Sequence, residues 1–210
     1  MNSSKVERPL SARLNLLASY HTNEPIIWDI GCDHGLLGSS FLGHPDVEEI
    51  HLVDSSGRVV QNLKDAYITT PKINILNKRG QELIIRNTKK TCIFIAGMGG
   101  LEVGRIIQSL SPQLGPDSRF VISPHRKILE LRKFLGTFPI SLLTETLIEE
   151  NNQFYQILVL GNFAGRKISP FGEELWDSPL GERYRRKTLL HFEHHKDELS
   201  LQYLNWLKRP

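Results

Sequence analysis

Ile26-Ile27-Trp28-Asp29-Ile30-Gly31-Cys32-Asp33-His34-Gly35 is an apolar run that ends in an acid and enters a two-glycine turn. It has the form of the first strand of a doubly wound α/β sheet running into a ligand loop, because glycine lets backbone approach a ligand closely. The charges of the loop say which ligand. A dinucleotide loop offers bare backbone and a helix N-terminus to a pyrophosphate, and two carboxylates there would repel it. Asp29 and Asp33 suit instead a nucleoside cofactor carrying positive charge, of which S-adenosylmethionine, with its ammonium and sulfonium groups, is the common one. Such a fold places an acid at the end of the second strand, about 20 residues past the glycines, to hold the ribose hydroxyls. Asp54, in Ile50-His51-Leu52-Val53-Asp54, stands there.

The chain has 210 residues, enough to bury one substantial core and carry a small appendage without disulfide or metal staples. Its two cysteines, Cys32 and Cys92, do not form a secreted disulfide framework and fit a reducing compartment. Residues 1–8 have no apolar core of the signal-peptide kind, and no window reaches the roughly 20 apolar residues of a membrane span. A cytoplasmic protein without a membrane partner is expected. A net charge of +3 permits a nucleic-acid partner without requiring one.

Working outward, Leu10, Leu14, Leu17 and Ala18 recur at helical spacing and predict a short helix ahead of the first strand. Leu36 to Leu42 predicts a helix ending near Gly43-His44-Pro45, followed by the second strand. Arg58 to Tyr67 reads as a helix, Ile73 to Leu76 as a third strand, and Cys92 to Ala96 as a fourth, buried on both faces. Leu101 to Leu110 is a helix and Phe120 to Ile122 a fifth strand. Ile128 to Leu135 is a further helix with a basic face from Arg126, Lys127, Arg132 and Lys133. The alternation implies parallel pairing with right-handed crossovers. Leu142 to Ile148 and Phe154 to Leu160 break it, because the turn Glu149 to Gln153 is too short for a parallel crossover, so these runs form an antiparallel hairpin. A mostly parallel sheet finished in this way resembles the Rossmann-like sheet of class I methyltransferases, with strand order 3-2-1-4-5-7-6.

The character changes at about Ala164, which divides the chain into residues 1–163 and a linker with a C-terminal helical extension, 164–210. Leu180 to Leu207 reads as largely helical. Arg183, Arg185, Arg186 and Lys187 form a basic cluster able to touch RNA phosphates, although such runs are more often solvated helix faces. His191, His194 and His195 lack an accompanying ligand cluster, and no metal is expected.

A second glycine loop, Ile95-Ala96-Gly97-Met98-Gly99-Gly100, follows the fourth strand. Together with Leu10-Ser11-Ala12-Arg13-Leu14, Asp29 to His34, and Ile148-Glu149-Glu150 running into Phe154 to Val159, it makes the chain resemble the bacterial tRNA adenine-22 N1-methyltransferase family over about residues 9–161. The resemblance implies tRNA as partner and S-adenosylmethionine as cofactor. It places Asp29, Gly31, Asp33, His34 and Gly35 around the methionine end of the cofactor and Asp54 on its ribose. Gly80 and Gln81 would lie near its adenine, and Ala96, Gly97, Met98 and Gly99 would form the floor beneath the methyl group. Methylation at adenine N1 uses a neutral ring nitrogen and yields a cation, so a carboxylate near the site helps and no strong base is needed. Asp33 is assigned that part, and His34 the positioning of the base by a hydrogen bond.

The chain also departs from the family pattern. Asp33-His34-Gly35-Leu36-Leu37-Gly38 stands where the family has Asp-His-Ala-Tyr-Leu-Pro, removing an aromatic that could stack on the target base. Lys78-Arg79-Gly80 replaces Gly-Asp-Gly, and an arginine cannot accept a hydrogen bond from the cofactor's adenine amine. Ser123-Pro124-His125 replaces Gln-Pro-Asn, and the family's C-terminal helical hairpin is read as shortened to about one helix. The sequence therefore leaves open a tRNA adenine N1-methyltransferase, a methyltransferase for another RNA site or a small molecule, and an inactive homologue that binds RNA or protein.

Overall fold

The structure, a computed structural model, describes residues 9–85, 89–162, 165–194 and 197–208. The reading of residues 1–8, the proposed boundary at 163/164 and His195 lie outside them. The chain runs α1 (Ala12–Ala18), β1 (Ile26–Ile30), α2 (Leu36–Ser39), β2 (Glu49–Asp54), α3 (Gly57–Ala66) and β3 (Ile73–Asn77). It continues through a 3₁₀ turn at Gly80–Glu82, β4 (Thr91–Ala96), α4 (Gly100–Leu110), β5 (Arg119–Ser123) and α5 (Ile128–Leu135). The hairpin β6 (Ser141–Glu150) and β7 (Gln153–Gly161) follows, then α6 (Pro179–Phe192) and α7 (Glu198–Leu207). One seven-stranded sheet has the order β3-β2-β1-β4-β5-β7-β6, parallel from β3 to β5 and antiparallel at β7 and β6. The expected topology holds.

Two-sided burial follows from strand alternation. Ile26, Trp28 and Ile30 of β1 join Ile93, Ile95, Phe120 and Leu158 in a core beneath α4 and α5. Ile27, Cys92, Phe94 and Val121 point the other way, into a core with Leu17, Leu37 and Leu63 from α1, α2 and α3. Because Ile30 pairs in register with both Val53 and Ile95, the loops after β1, β2 and β4 leave the sheet together at the carboxyl ends of its parallel strands. Those carboxyl ends are where open α/β sheets bind ligands.

Four expectations need correction. Arg132 does not belong to a basic face: its side chain is fully buried, donating to Glu145 Oε2 (2.7 Å), Gln156 Oε1 (2.9 Å) and the Ser169 carbonyl (2.8 Å). The hairpin turn is not five residues long. Glu149 pairs with Phe154 and Glu150 with Gln153, leaving Asn151 and Asn152, both at positive φ (51° and 60°), as the two-residue turn that suits strand twist. Helix α2 stops at Ser39 because the next amides tighten to three-residue bonds, Phe41 to Gly38 and Leu42 to Ser39. The tail holds two helices rather than about one, each N-capped by a side chain: Ser178 Oγ on Gly181 N–H and Asp197 Oδ1 on Ser200 N–H. The basic cluster of α6 is engaged within the protein, with Arg183 on Glu149, Arg185 on the Leu207 carbonyl, Arg186 on Glu182 and Lys187 on the Asn152 carbonyl.

Candidate active site

Two glycines open the site by the same device. Gly31 leaves β1 at φ +73° and donates to the Val53 carbonyl of the neighbouring β2 (2.8 Å), while Gly97 leaves β4 at φ +81° and donates to the Ser123 carbonyl of β5 (3.1 Å). Side-chain-bearing residues avoid this left-handed region, which is why glycine stands at both positions. The two turns bound a cavity of about 330 Å³ lined by Asp29, Gly31, Cys32, Asp33, His34, Ala96 and Gly97, with Arg13, Leu14, Leu36, Leu37 and His125 closing its sides.

The three acids differ in state. Asp29, at 3% exposure, accepts the Gly38 amide of α2 (2.8 Å). Its pKa is raised from 3.8 to about 7, chiefly by burial; the Gly38 N–H opposes the shift and the negative charge of Asp54 adds to it. Asp54 is a loop holder: its Oδ2 accepts the Asp33 amide (3.2 Å) and its Oδ1 the Ser56 amide (2.8 Å). That bond fixes Asp33, itself at φ +47°, with its carboxylate out in the open beside His34 Nε2 (3.7 Å). The Cys32 thiol is pushed far above its ordinary range by burial and the surrounding acids, so it is no nucleophile.

Of the residues selected from the sequence, the structure gathers Asp29, Gly31, Asp33, His34, Ala96 and Gly97 on one cavity wall. The others sit around it. Gly35 (φ +67°) begins α2, Gly99 begins α4, and the Met98 sulfur lies close beside Gly31. Gly80 is wedged against Ile30 and Ile106, and the carbonyl of Gln81 accepts the Ser109 hydroxyl (2.8 Å). Arg79 is exposed, its amide held by Glu82 Oε2 (3.3 Å).

Long-range contacts bring two further residues to the cavity: Arg13, to which sequence reading assigned no site role, and His125, which the departure from Gln-Pro-Asn placed near the substrate. Arg13 reaches the site because its amide donates to Glu150 Oε1 of the hairpin (2.9 Å) and its guanidinium lies 4.5 Å over the Tyr155 ring and 3.5 Å from His125 Nε2. His125 is held by its amide on the Met98 carbonyl (2.9 Å), which ties the second glycine loop to the loop after β5. Burial together with the charges of Arg13 and Arg126 lowers the His125 pKa, leaving a neutral imidazole at pH 7. The sequence signal for Arg13 was its place in a matched motif, and for His125 its place in a departure from one. Among the described residues, no group of three or more histidine, cysteine, aspartate or glutamate side chains could hold a metal, and no helix is long and apolar enough to cross a membrane.

Comparison with known proteins agrees with this architecture. The chain is 28% identical over 169 residues to the Mycoplasma genitalium protein MG248 (74% of this chain, 69% of that one). It is 27% identical over 164 residues to the Bacillus subtilis tRNA (adenine(22)-N(1))-methyltransferase (73% and 65%). It thus spans about two thirds of the length of these relatives. Among solved structures, Streptococcus pneumoniae Sp1610 in complex with S-adenosyl-L-methionine superimposes with a TM-score of 0.77 at 24% identity, covering 95% of this chain and 98% of that one. A family model described as a methyltransferase domain matches residues 10–158, and with that match across most of the sheet the chain belongs to the methyltransferase-domain family.

Proposed function

We propose that the protein is an S-adenosylmethionine-dependent methyltransferase acting on N1 of an adenine in tRNA, of the position-22 type, in the cytoplasm. The observation that carries this reading is the acid-lined cavity between the two glycine turns: a buried carboxyl, Asp29, beneath it and an open carboxylate, Asp33, at its mouth suit a cationic ligand. The relatives named for tRNA methylation and the S-adenosylmethionine complex of a structural neighbour support the same choice.

The residues present fit the cofactor. Asp29, Gly31, Asp33, His34 and Gly35 would flank its methionine end, Asp54 would hold its ribose, Gly80 and Gln81 would lie near its adenine, and Ala96, Gly97, Met98 and Gly99 would form the floor beneath its methyl group. S-adenosylmethionine supplies an electrophilic methyl group. The work left to the chain is alignment and charge. Adenine N1 attacks as a neutral nitrogen, so Asp33 stabilises the developing cation of the product, while His34 and the neutral His125 donate or accept hydrogen bonds at the edges of the base. N1 lies on the pairing edge, so the target nucleotide enters unpaired or extruded. We retain as part of this proposal the division into a methyltransferase domain, 1–163, and an extension, 164–210.

Calorimetric titration with S-adenosylmethionine and S-adenosylhomocysteine, with NAD as control, is expected to give binding of the first two alone. Incubation with unmodified tRNA and nucleoside mass spectrometry should then yield N1-methyladenosine. Asp33→Ala should lower kcat by roughly a hundredfold while changing cofactor affinity only a few-fold; equal losses in both would make Asp33 a binding residue only. Absence of methylated adenosine would overturn the substrate assignment.

A further inference from the structure

A second cavity, about 500 Å³ and larger than the first, lies between the hairpin, the start of α5 and the two tail helices. Its position is the first reason to assign it a role. His125 lines both cavities, so the two adjoin at this residue. The 330 Å³ site has room for the methionine end of a cofactor and one target base, whereas a polynucleotide strand has to continue on both sides of that base.

The chemistry of the lining is the second reason. Phe154 presents a half-buried ring, with Lys187 Nζ over it at 5.4 Å and the Arg183 guanidinium at 5.8 Å from its centroid, and tilted 36° against Tyr184. Arg126 contributes a further exposed cation on the His125 side. The carboxylates on the wall are already engaged inside the protein: Glu130 holds Lys127 (2.7 Å), and Asp197 caps α7 and accepts the Ser200 hydroxyl (2.6 Å). Arg183 is itself paired with Glu149 (2.8 Å), whereas Lys187 donates to the neutral Asn152 carbonyl (2.7 Å) and keeps its charge, so Lys187 and Arg126 are the cations left for a phosphate beside an aromatic ring that can stack on a nucleobase.

We propose that this cavity is an RNA subsite that seats a nucleotide flanking the one to be methylated, with its base on Phe154 and its phosphate between Arg126 and Lys187. The assignment rests on the RNA substrate proposed above. It also gives the tail a function: α6 and α7 build one wall of the subsite, so the extension acts beside the methyl-transfer site.

The test is fluorescence anisotropy of the full chain with a labelled unmodified tRNA transcript, run beside calorimetry with S-adenosylhomocysteine. Arg126→Glu and Lys187→Glu should each weaken tRNA binding by roughly tenfold and flatten its salt dependence by about one phosphate contact. Phe154→Leu, which keeps an apolar residue in the hairpin, should weaken it at least about fivefold through lost stacking. S-adenosylhomocysteine affinity should stay within about twofold of the parent in all three, which also establishes that each variant is folded. Unchanged tRNA affinity in Arg126→Glu and Phe154→Leu would overturn the subsite, as would a parent protein that binds no tRNA. A parent that binds tRNA through these residues but transfers no methyl group would overturn the catalytic proposal and leave the subsite standing.

Discussion

Asp29 carries the clearest residue-scale consequence. Its folded pKa, about 7, lies above its ordinary value, so the folded protein prefers the protonated carboxyl. The stability it contributes is complete below about pH 4 and is lost as pH rises from about 4 to about 7, at about 1.4 kcal/mol per unit. Asp29→Asn, which keeps an acceptor for the Gly38 amide, should therefore melt above the parent at pH 8 and converge with it near pH 4. Cofactor binding should run the opposite way. A cationic ligand favours the ionised carboxyl, so parent affinity should climb from about pH 5 to about 7, by at most tenfold per unit, while the Asn variant binds weakly with a flatter profile. Calorimetry across that range checks both; a flat parent profile would remove Asp29 from the ligand's surroundings. The sequence made this acid legible as a site residue, because an acid at the end of a buried strand has few structural reasons to be there. It did not make its protonation legible, since that depends on Gly38 and Asp54 folding over it. The contacts that place Arg13 and His125 were hidden for the same reason: their partners Glu150 and Met98 are 137 and 27 positions away along the chain.

At the scale of elements, the strands and the helices of the sheet domain were readable because each buries its own apolar pattern. Arg132 was not, because its neighbours on α5 include Lys133 and only the folded chain supplies Glu145 from β6, Gln156 from β7 and the Ser169 carbonyl from the linker. This one guanidinium fastens three elements to α5. Arg132→Met should cost about 3–5 kcal/mol, since it strands the Glu145 carboxylate in a site where the remaining Arg166 is 3.6 Å away and partly solvated. For a chain of this size that is a fall of roughly 10 °C in melting temperature. Adding Glu145→Leu should recover part of the loss by removing the uncompensated charge, and thermal melts of the single and double variants read the difference. No recovery would mean that the network acts through packing alone.

For the whole molecule the question is why the tail, whose helix count the sequence understated, is attached where it is. Its apolar residues are spaced for packing against aromatics of the same tail. Tyr203 and Leu207 cluster with Leu129 of α5, with Phe171, Trp176 and Trp206 around them, so most of this small core is made by the tail itself. Among the described residues it is joined to the sheet domain by Leu129, the Arg132 bonds, the Gln156–Tyr184 bond (3.1 Å), Arg183 on Glu149, Lys187 on the Asn152 carbonyl, the backbone pairing of Arg166 with Leu142, and Ile168 in the core beneath α4 and α5. Every residue assigned to cofactor binding lies before β5, on loops set by strands whose partners are all within the sheet. Ending the chain at Gly161 should therefore leave S-adenosylhomocysteine affinity within about threefold. The melting temperature should fall by at least roughly 10 °C, because Leu129 is exposed, the core beneath α4 and α5 loses Ile168, Arg132 loses an acceptor and Leu142 loses its pairing with Arg166. Affinity for tRNA should fall by at least tenfold, because one wall of the second cavity and the cations of α6 are gone. Cofactor affinity lost along with the tail would show that the methyl-transfer loops depend on it, and the division of labour between sheet and extension would have to be abandoned.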